Sequence, residues 1–328
     1  MKPTLHFLNE DFLQEHQILD WGYTEDSLAL SYPQFNHWLQ NKNEGILNYL
    51  RGERALKRKD LKSYFPQFQS ALVFAFSYLE AKKFLQEQPI PLKLASYTMG
   101  FQDQDYHLVV RKYLEVIARK LEEEIPGLVC KLSLDTQPIL ERDLAHRAGL
   151  GWFGKNSMLI LREHGSFFII GSLLLDQKLG LKTKPLETDH CGQCRACIDV
   201  CPTNAIQEST RTLIADLCIS TFTIEEFKEK DPPVGFDKAQ GEIFGCDLCQ
   251  DVCPWNKKVL PEIPLELAFQ ESEIYQFFNR PIDDVIFELE GTSNREFKRV
   301  FEDTPLARTG RVGLLKNLKA FLKSKISV

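Results

Sequence analysis

The sequence has no apolar segment long enough to cross a membrane. Its longest apolar run, FFIIGSLLL at 167–175, is far shorter than the roughly 20 residues that a spanning helix needs, and such a run is typical of a buried strand. The first 17 residues contain no apolar core of the signal-peptide kind. We therefore expect a cytoplasmic protein with no membrane partner.

The sequence also lacks an overall positive charge and the common cofactor fingerprints. The formal net charge of the 328 residues is −6, so the protein as a whole is not drawn to nucleic acid. No nicotinamide or flavin fingerprint occurs, and neither does the C-x3-C-x2-C loop expected of a radical S-adenosylmethionine enzyme. There is no internal repeat and no low-complexity segment. These absences exclude several familiar redox classes.

The composition that is present is that of a globular protein, with 43% hydrophobic and 26% charged residues. Residue periodicity predicts an α+β core over 1–185, a cysteine-bearing segment over 186–260 and a helical segment over 261–328. The predicted elements of the core are a mostly helical stretch at 1–60, a strand at 69–79, an amphipathic helix at 106–127, a strand at 128–135, a helix at 138–149, and a β-hairpin of SMLILRE and SFFIIGSLLL split by HG at 164–165.

Positive charge is concentrated near the C-terminus, where residues 291–328 carry nine Lys and Arg against three acidic residues. In GRVGLLKNLKAFLKSK, helical spacing places the leucines and Phe321 on one face and the lysines on the other. A local patch of this kind can contact phosphates, and the alternative is a solvated helix face. The basic residues are Arg295, Lys298, Arg299, Arg308, Arg311, Lys316, Lys319, Lys323 and Lys325.

Clustered cysteines are the strongest motif in the chain. CGQCRACIDVCP, residues 191–202, has the spacing C-x2-C-x2-C-x3-C-P, which is the bacterial ferredoxin run for [4Fe–4S] clusters. The alternative, a zinc site, usually has two separated C-x2-C pairs. Nine cysteines grouped in this way are also more typical of metal binding in a reducing compartment than of a disulfide framework.

A second run, CDLCQDVCP at 246–254, has one cysteine fewer, because Ile243 stands where the first ligand should be. Cys218 is the unassigned cysteine in this region, so we assign it to the missing place; its alternative is a small buried hydrophobe. Cys130 lies in an apolar strand and is read as a packing residue. In two-cluster ferredoxins the fourth cysteine of each run ligates the other cluster. The predicted sets are therefore Cys191, Cys194, Cys197 and Cys253 for one cluster, and Cys201, Cys218, Cys246 and Cys249 for the other.

The stretch GLGWFGKN, residues 149–156, nearly matches a phosphate-binding loop. Asn156 replaces the hydroxyl residue that should bind magnesium, and a helix precedes the loop where a strand is required. We therefore exclude nucleotide hydrolysis. A glycine-rich turn with Lys155 and an amide still suits the close approach of a large planar or phosphate-bearing ligand, and the alternative is an ordinary tight turn.

Asp135 follows the predicted strand at 128–135 and precedes a helix. At the edge of an apolar core, a carboxyl group can have a raised pKa and donate a proton. The alternative is a helix N-cap. Tyr106 and His107 begin another predicted helix and could be merely structural. No other residues suggest a nucleophile and base.

Taken together, these segments closely resemble the epoxyqueuosine reductase family from about residue 45 to about residue 320. The matching stretches are LDTQPILERDLAHRAGLGWFGKNSMLI, CGQCRACIDVCPTNAI, CISTFTIEE, IFGCDLCQDVCPWNKK, ASYTMGFQDQDYH and LARTGRVGLLKNLKAFL. Ferredoxin runs are common, but their combination with this aspartate helix and GLGWFGKN is specific.

The resemblance implies a fold, a reaction and cofactors. The fold would be a degenerate nitroreductase-like core with an inserted two-cluster ferredoxin-like module and a C-terminal HEAT-like helical segment. The enzyme would be an oxidoreductase of queuosine biosynthesis that reduces epoxyqueuosine at the wobble position of tRNA. It would use base-off cobalamin and two [4Fe–4S] clusters, with Asp135 as proton donor. The family's eight cluster cysteines coincide with the eight assigned above.

Further contacts are expected from the same resemblance. Cobalamin or anticodon phosphates would be held by Arg58, Arg142, Lys155, Asn156, Ser157, Ser220 and Asp247. The basic C-terminal segment would meet the tRNA backbone, together with Lys182, Lys184, Lys257 and Lys258. A low-potential flavodoxin or ferredoxin would supply electrons to a monomer. Many members have a longer C-terminal extension than this chain, a departure that concerns the grip on tRNA and not the chemistry.

Two other functions are kept as alternatives. A cobalamin-dependent reductive dehalogenase of a small organohalide would share the same cofactors, but it typically carries a twin-arginine export signal, which is not seen here. A plain ferredoxin-type electron carrier would have the clusters but would bind no corrin.

Overall fold

The computed structural model describes residues 5–326, and its mixture of helices and short sheets confirms the α+β class. The strands are β1 Ile18–Thr24, β2 Ser70–Ser77, β3 Lys93–Leu94, β4 Cys130–Ser133, β5 Trp152–Phe153, β6 Leu159–Ile160, β7 Phe168–Leu175, β8 Ile206–Gln207, β9 Thr212–Leu213 and β10 Glu242–Phe244. The helices are α1 Glu10–Glu15, α2 Tyr32–Gln40, α3 Glu53–Lys57, α4 Leu79–Glu87, α5 Tyr106–Glu124, α6 Glu141–Arg147, α7 Ala196–Val200, α8 Ile219–Ile224, α9 Leu248–Asp251, α10 Pro254–Val259, α11 Glu273–Phe278, α12 Ile282–Gly291, α13 Asn294–Phe301 and α14 Gly310–Ile326.

A four-stranded antiparallel sheet forms the centre of the core, in the order β1-β2-β7-β4. Strand β2 is buried on both faces, which explains why its sequence is a continuous apolar run and not an alternating one. Gly171 of β7 lies under α5, and a Cβ there would come within 2.8 Å of the Phe76 ring. The glycine therefore allows the helix and the sheet to pack closely.

Each face of this sheet is covered by a helix. On one face, α5 packs its buried side chains Val110, Leu114, Ile117 and Leu121 against Leu72, Phe74, Phe76 and Leu173 of the sheet. On the other face, α6 packs Leu144, Ala145 and Ala148 against Ala71, Val73 and Ala75. The predicted strands at 69–79 and 128–135 and helices at 106–127 and 138–149 are confirmed as β2, β4, α5 and α6.

Two predicted features of the core are wrong. The stretch 1–60, predicted to be mostly helical, contains β1, which pairs with β2 at the edge of the sheet. The predicted hairpin of SMLILRE with SFFIIGSLLL does not form as such: β6 pairs with β5, while β7 lies between β2 and β4. A single bridge joins Leu161 of the first segment to Gly165 of the HG turn. An apolar run specifies a strand but not its partner.

The C-terminal helices pack onto the rest of the chain through a second hydrophobic cluster. Helices α11 to α14 bury Phe278, Val285, Phe297 and Leu314 against α4 and the parallel pair of β3 and β10. The helical character predicted for 261–328 is confirmed over its described part. The division into three domains that the sequence predicts stays a prediction.

One lysine of α14 departs from the predicted pattern. Lys316 is not on a solvated face but is buried, with its ammonium group donating to the carbonyl oxygens of Phe222 at 2.6 Å and Glu226 at 2.7 Å. Burial lowers the pKa of Lys316 to about 8. The lysine thus ties α14 to the end of α8 and is not available to a partner.

Within residues 5–326, no helix combines the length and the apolar character required to span a bilayer.

Candidate active site

Eight cysteines form two groups in space, which we call the first thiol group (Cys191, Cys194, Cys197, Cys253) and the second thiol group (Cys201, Cys218, Cys246, Cys249). In the first, Cys197 lies within electrostatic range of the other three thiols. In the second, Cys249 is within range of Cys218 and Cys201, and Cys246 is within range of Cys249 and Cys218. Cys249 is also within range of Cys197 of the first group, so the assignment of each cysteine to one cluster, including the exchange of Cys201 and Cys253, stays a prediction.

Backbone geometry explains how each run presents its last cysteine to the other group. Cys201 ends α7 in an extended conformation, and Cys253 precedes α10 in a similar one. Each is followed by a proline, which favours this extended conformation and ends the preceding helix. Cys218, which no local motif identifies, has the same extended geometry just before α8.

The two groups fit iron–sulfur clusters. All nine cysteines are free thiols, and burial raises the pKa of Cys197 to about 11 and raises that of Cys246 and Cys249 well above the usual value. Buried soft donors of this kind suit a cationic centre that stabilises thiolates. Among residues 5–326, no three His, Cys, Asp or Glu side chains lie close enough to hold a single metal ion.

Asp135 lies in the loop between β4 and α6, at the edge of an open cleft. Its side chain is 41% exposed, and its φ of +29° lies in the left-handed region that side chains rarely adopt. Its backbone N–H donates to Glu141 Oε1. The N-cap of α6 is Leu140, so the alternative reading of Asp135 as a helix cap is excluded.

Both carboxylate oxygens of Asp135 accept hydrogen bonds from the start of α5. The Tyr106 hydroxyl donates to Oδ2, and His107 Nε2 lies 2.6 Å from Oδ1. On its other side, His107 Nδ1 lies 2.7 Å from Asp105 Oδ1. Asp105 is also the N-cap of α5, accepting from the His107 backbone N–H. The resulting row is Asp105, His107 and Asp135.

The electrostatics of this row reverse one expectation. Burial raises the pKa of Asp135, but His107, the Tyr106 hydroxyl and Arg308 together outweigh it, so the net direction is downward. The predicted raised pKa is therefore wrong for this arrangement. Burial lowers the pKa of His107, whereas the two carboxylates raise it, to about 10. At neutral pH the pair is an imidazolium with a carboxylate.

Glu141 is the residue near Asp135 whose pKa is strongly raised. Burial, and then the charge of Asp135, raise its pKa to about 8. A carboxyl group that is neutral at pH 7 can accept the Asp135 N–H through one oxygen without placing two negative charges side by side. Sequence reasoning included Glu141 in the matching stretch LDTQPILERDLAHRAGLGWFGKNSMLI but gave it no role.

A cavity of about 890 Å³ adjoins this row. Its walls come from α5, from β4 with the following loop, and from the segment between α13 and α14; lining residues include His107, Leu132, Gln137, Asp303 and Arg308. Arg308 is paired with Glu225 at 2.6 Å and is close enough to Asp135 to lower its pKa. Residues far apart in sequence thus share one recess.

The glycine-rich turn at 149–156 supports the thiols and does not form a phosphate loop. It is the turn of the β5–β6 hairpin, and Trp152 and Ile160 pack against Cys253 and Cys191. Asn156 is buried and donates to the Cys249 carbonyl at 3.3 Å. These contacts give the turn a structural place beside the thiols, and its contact with a ligand stays a prediction.

The other predicted cofactor contacts differ in whether their side chains are already engaged within the protein. Several are already engaged within the protein: Lys155 with Glu208 at 3.1 Å, Asp247 with the Ser96 hydroxyl at 2.5 Å, and the Ser157 hydroxyl with the Arg211 carbonyl at 2.7 Å. Arg142 is exposed and donates to the Ser157 carbonyl. Ser220, on α8 beside Cys218, is half-buried.

Arg58 lies near Glu141, the residue that accepts the Asp135 N–H. It is buried, donates to the Arg54 carbonyl at 2.9 Å, and lies within electrostatic range of Tyr49 and Glu141. Tyr49 is in turn within range of Asp135 and Arg308. Sequence reasoning missed Tyr49, which carries no motif, and it noted His107 without giving it a role.

Family models, related proteins and solved structures resemble this chain. The family model described as "4Fe-4S double cluster binding domain" matches residues 190–256, and the model described as "Epoxyqueuosine reductase QueG, DUF1730" matches residues 58–136. The epoxyqueuosine reductase of Cyclobacterium marinum is 33% identical over 303 residues, covering 90% of this chain and 89% of its own. The chain belongs to the epoxyqueuosine reductase family. The member from Leadbetterella byssophila is 34% identical over 301 residues, covering 91% of each chain.

Solved structures of epoxyqueuosine reductases have the same fold. The enzyme from Streptococcus thermophilus superposes with a TM-score of 0.80 at 23% identity, covering 99% of this chain and 82% of its own. A second structure, solved with an epoxyqueuosine-modified tRNA-Tyr stem loop, has a TM-score of 0.74 at 23% identity and covers 98% and 82%. The family's double-cluster segment coincides with the segment that contains both thiol runs.

Proposed function

We propose that this protein reduces epoxyqueuosine to queuosine at the wobble position of tRNA. The observation that carries the proposal is the row Asp105, His107 and Asp135 at an open cleft, in a chain of this family that also gathers eight thiols into two groups. Removing the epoxide oxygen as water, with formation of the alkene, consumes two electrons and two protons. The site therefore needs an electron supply and a proton supply.

The two thiol groups are the proposed electron supply. Cys249 lies within electrostatic range of Cys197, so the groups are adjacent and two [4Fe–4S] clusters held there could exchange electrons. Cys194 of the first group is exposed, which gives an external donor access to that side. We infer a low-potential donor of flavodoxin or ferredoxin type acting on a monomeric enzyme in the cytoplasm, where its tRNA substrate is found.

Cobalamin is the proposed second cofactor, in the base-off form. Both ring nitrogens of His107 are engaged by carboxylates, so this histidine is committed to the Asp105–Asp135 row. When bound, cobalamin would supply a low-valent nucleophile for an epoxide carbon. The proposed contacts with cobalamin are Arg58, Arg142, Ser157 and Ser220. The side chains of Lys155, Asn156 and Asp247 are engaged within the protein, and they would act mainly by holding the backbone around the second thiol group.

Asp135 is the proposed proton donor to the departing epoxide oxygen. Its neighbours Leu134 and Thr136 line the cleft, its backbone is anchored by Glu141 and its side chain by Tyr106. This anchoring holds the carboxyl group where an alkoxide would otherwise develop, and a positioned general acid contributes about 10²–10⁴-fold to such a step.

RNA would be bound by fewer basic residues than the sequence offers. Lys298, Arg308 and Lys319 are paired with acidic side chains, and Lys316 is buried. Lys184 and Lys258 are likewise paired. Arg295 and Arg299 are exposed on α13, immediately before the Glu302–Asp303 rim of the cleft, and have no ion pair among the described residues. They are the best-placed phosphate contacts.

Mass spectrometry of tRNA tests the proposal. Substrate tRNA carrying epoxyqueuosine is incubated anaerobically with cluster- and cobalamin-loaded protein and a reductant, and the nucleoside should lose one oxygen. Asp135→Asn, which keeps the size of the side chain, should retain the cofactors and tRNA binding but lose turnover. Unchanged tRNA with fully loaded wild-type protein would refute the function, and full activity of the variant would refute the role of Asp135.

A further inference from the structure

The proton that Asp135 delivers has to come from elsewhere, because Asp135 is held as a carboxylate. Oδ2 accepts from the Tyr106 hydroxyl and Oδ1 faces His107 Nε2 at 2.6 Å. Two donors pointing at one carboxylate stabilise its charged form. A general acid in this setting needs a neighbouring group that holds a transferable proton.

His107 is placed to hold that proton. Its two ring nitrogens lie between two carboxylates, at 2.7 Å from Asp105 and 2.6 Å from Asp135, and an imidazole can satisfy both acceptors only when both nitrogens carry hydrogen. The ring stacks on Tyr106 with centroids 4.1 Å apart. The imidazolium is 34% exposed, so water in the cleft can replace a proton that it gives up.

Asp105 is held independently of His107's ring. Its backbone N–H donates to the Asp303 carbonyl at 2.6 Å, and its side chain caps α5 through the His107 backbone N–H at 2.9 Å. These bonds fix the carboxylate in the position that orients the imidazole. A carboxylate behind a histidine both sets its tautomer and favours its protonated form.

We propose that His107 is the proton source for Asp135, and that Asp105 is the positioning residue that keeps its imidazole oriented and charged. The inference rests on the proposed epoxide reduction. The proton moves from Nε2 to Asp135 Oδ1, and Asp135 then passes that same proton to the departing oxygen and becomes a carboxylate again, leaving a neutral imidazole with its hydrogen on Nδ1 toward Asp105. Uptake of one proton from water then restores the imidazolium for the second protonation, and the two electrons come from the clusters.

Tyr106 is an orienting group and not the source. Burial, and then the charge of Asp135, raise the pKa of its hydroxyl, so the phenol retains its proton. Glu141 is not the proton source either, because its hydrogen bond is to the backbone of Asp135 and not to the Asp135 carboxylate. The charged and titratable groups that face the His107–Asp135 pair are Asp105, Tyr106, Glu141, Arg308, Tyr49 and Tyr97.

Two variants test the proposal. His107→Gln removes the transferable proton, and Asp105→Asn keeps the cap and the acceptor oxygen but removes the charge. His37→Gln, on exposed helix α2, is the matched control. In loaded protein, kcat for His107→Gln should fall about 10²–10⁴-fold with KM little changed. Asp105→Asn should lower the basic limb of the kcat profile by about 1–3 pH units and stay active at lower pH.

A second readout does not depend on turnover. The pKa of the His107 imidazole is followed by NMR of isotope-labelled histidine in the loaded protein, with His107→Gln giving the assignment. We expect protonation to persist above pH 9 in the wild type, and to be lost at lower pH in Asp105→Asn. Titration of wild-type His107 near pH 6.5 would overturn the proposal, and so would full activity of His107→Gln. Failure of the proposed function is recognised separately, by a fully loaded wild type that leaves epoxyqueuosine intact.

Discussion

Replacing Glu141 by glutamine should remove a pH-dependent loss of stability. In the folded protein, burial and then the charge of Asp135 raise the pKa of Glu141 from its ordinary 4.5 to about 8. The folded state therefore binds more protons than the unfolded state between these values. Stability from this group is fully present below pH 4.5 and is lost as the pH rises through 8. Glutamine stays neutral and still offers an oxygen to the Asp135 N–H.

The shift in pKa sets the size of the effect. Taken at face value it corresponds to about 5 kcal/mol. Because Glu141 is only half-buried and water screens its charge, we expect about 1–2 kcal/mol between pH 6 and pH 9. The charged groups that face it are Asp135, Arg142, His107 and Arg58.

Anaerobic urea unfolding of cluster-loaded protein at pH 6 and pH 9 measures this difference. The midpoint of the wild type should fall more between the two pH values than that of Glu141→Gln. Glu80→Gln, on the exposed side of α4, should follow the wild type. Parallel curves for wild type and Glu141→Gln would show that the carboxyl group is ionised at neutral pH and would contradict the reasoning.

Three further predictions concern the clusters, the RNA surface and the fold. Cys201→Ser should abolish the cluster of the second thiol group, and Cys253→Ser that of the first, although each cysteine belongs by sequence to the other run; electron paramagnetic resonance and iron content of the reduced variants distinguish this from unexchanged ligation. Replacing Arg295 and Arg299 with alanine should weaken tRNA binding and reduce the slope of log K against log salt by about 1–2 in all; an unchanged slope would remove α13 from the interface. Lys316→Met should lower the free energy of unfolding by about 2–4 kcal/mol, because two carbonyl groups lose their hydrogen-bond donor. A free energy of unfolding within about 0.5 kcal/mol of the wild-type value would contradict that role.

Much of the candidate site could be predicted from short spacings. The run C-x2-C-x2-C-x3-C-P identifies its ligands because three thiols on one loop must reach neighbouring irons. In the folded chain Cys197 lies within electrostatic range of Cys253, and Cys249 lies within range of both Cys197 and Cys201, so the exchange of ligands between the runs stays a prediction. Cys218 could be proposed only by elimination, since its neighbours in sequence carry no pattern.

The pairing of strands could not be predicted in the same way. The apolar run that became β7 reads equally well as the partner of the preceding strand or of any other buried strand. Its place between β2 and β4 depends on contacts between segments far apart in sequence, which an apolar run does not encode. Strand β1 was hidden within a segment of helical character because its aspartate and glycine weaken the strand signal.

By itself the sequence determined the local chemistry of this protein: which cysteines can serve an iron–sulfur centre, that Asp135 stands at the end of a strand, and that the C-terminal segment is helical. Tertiary structure decided the charge states. Asp135 is ionised because His107, 28 residues away, is brought to 2.6 Å, and Lys316 is buried because α14 packs against α8. Ligand spacing is a property of a few consecutive residues, whereas a pKa depends on every charge and every void within several ångströms, and only the folded chain brings those together.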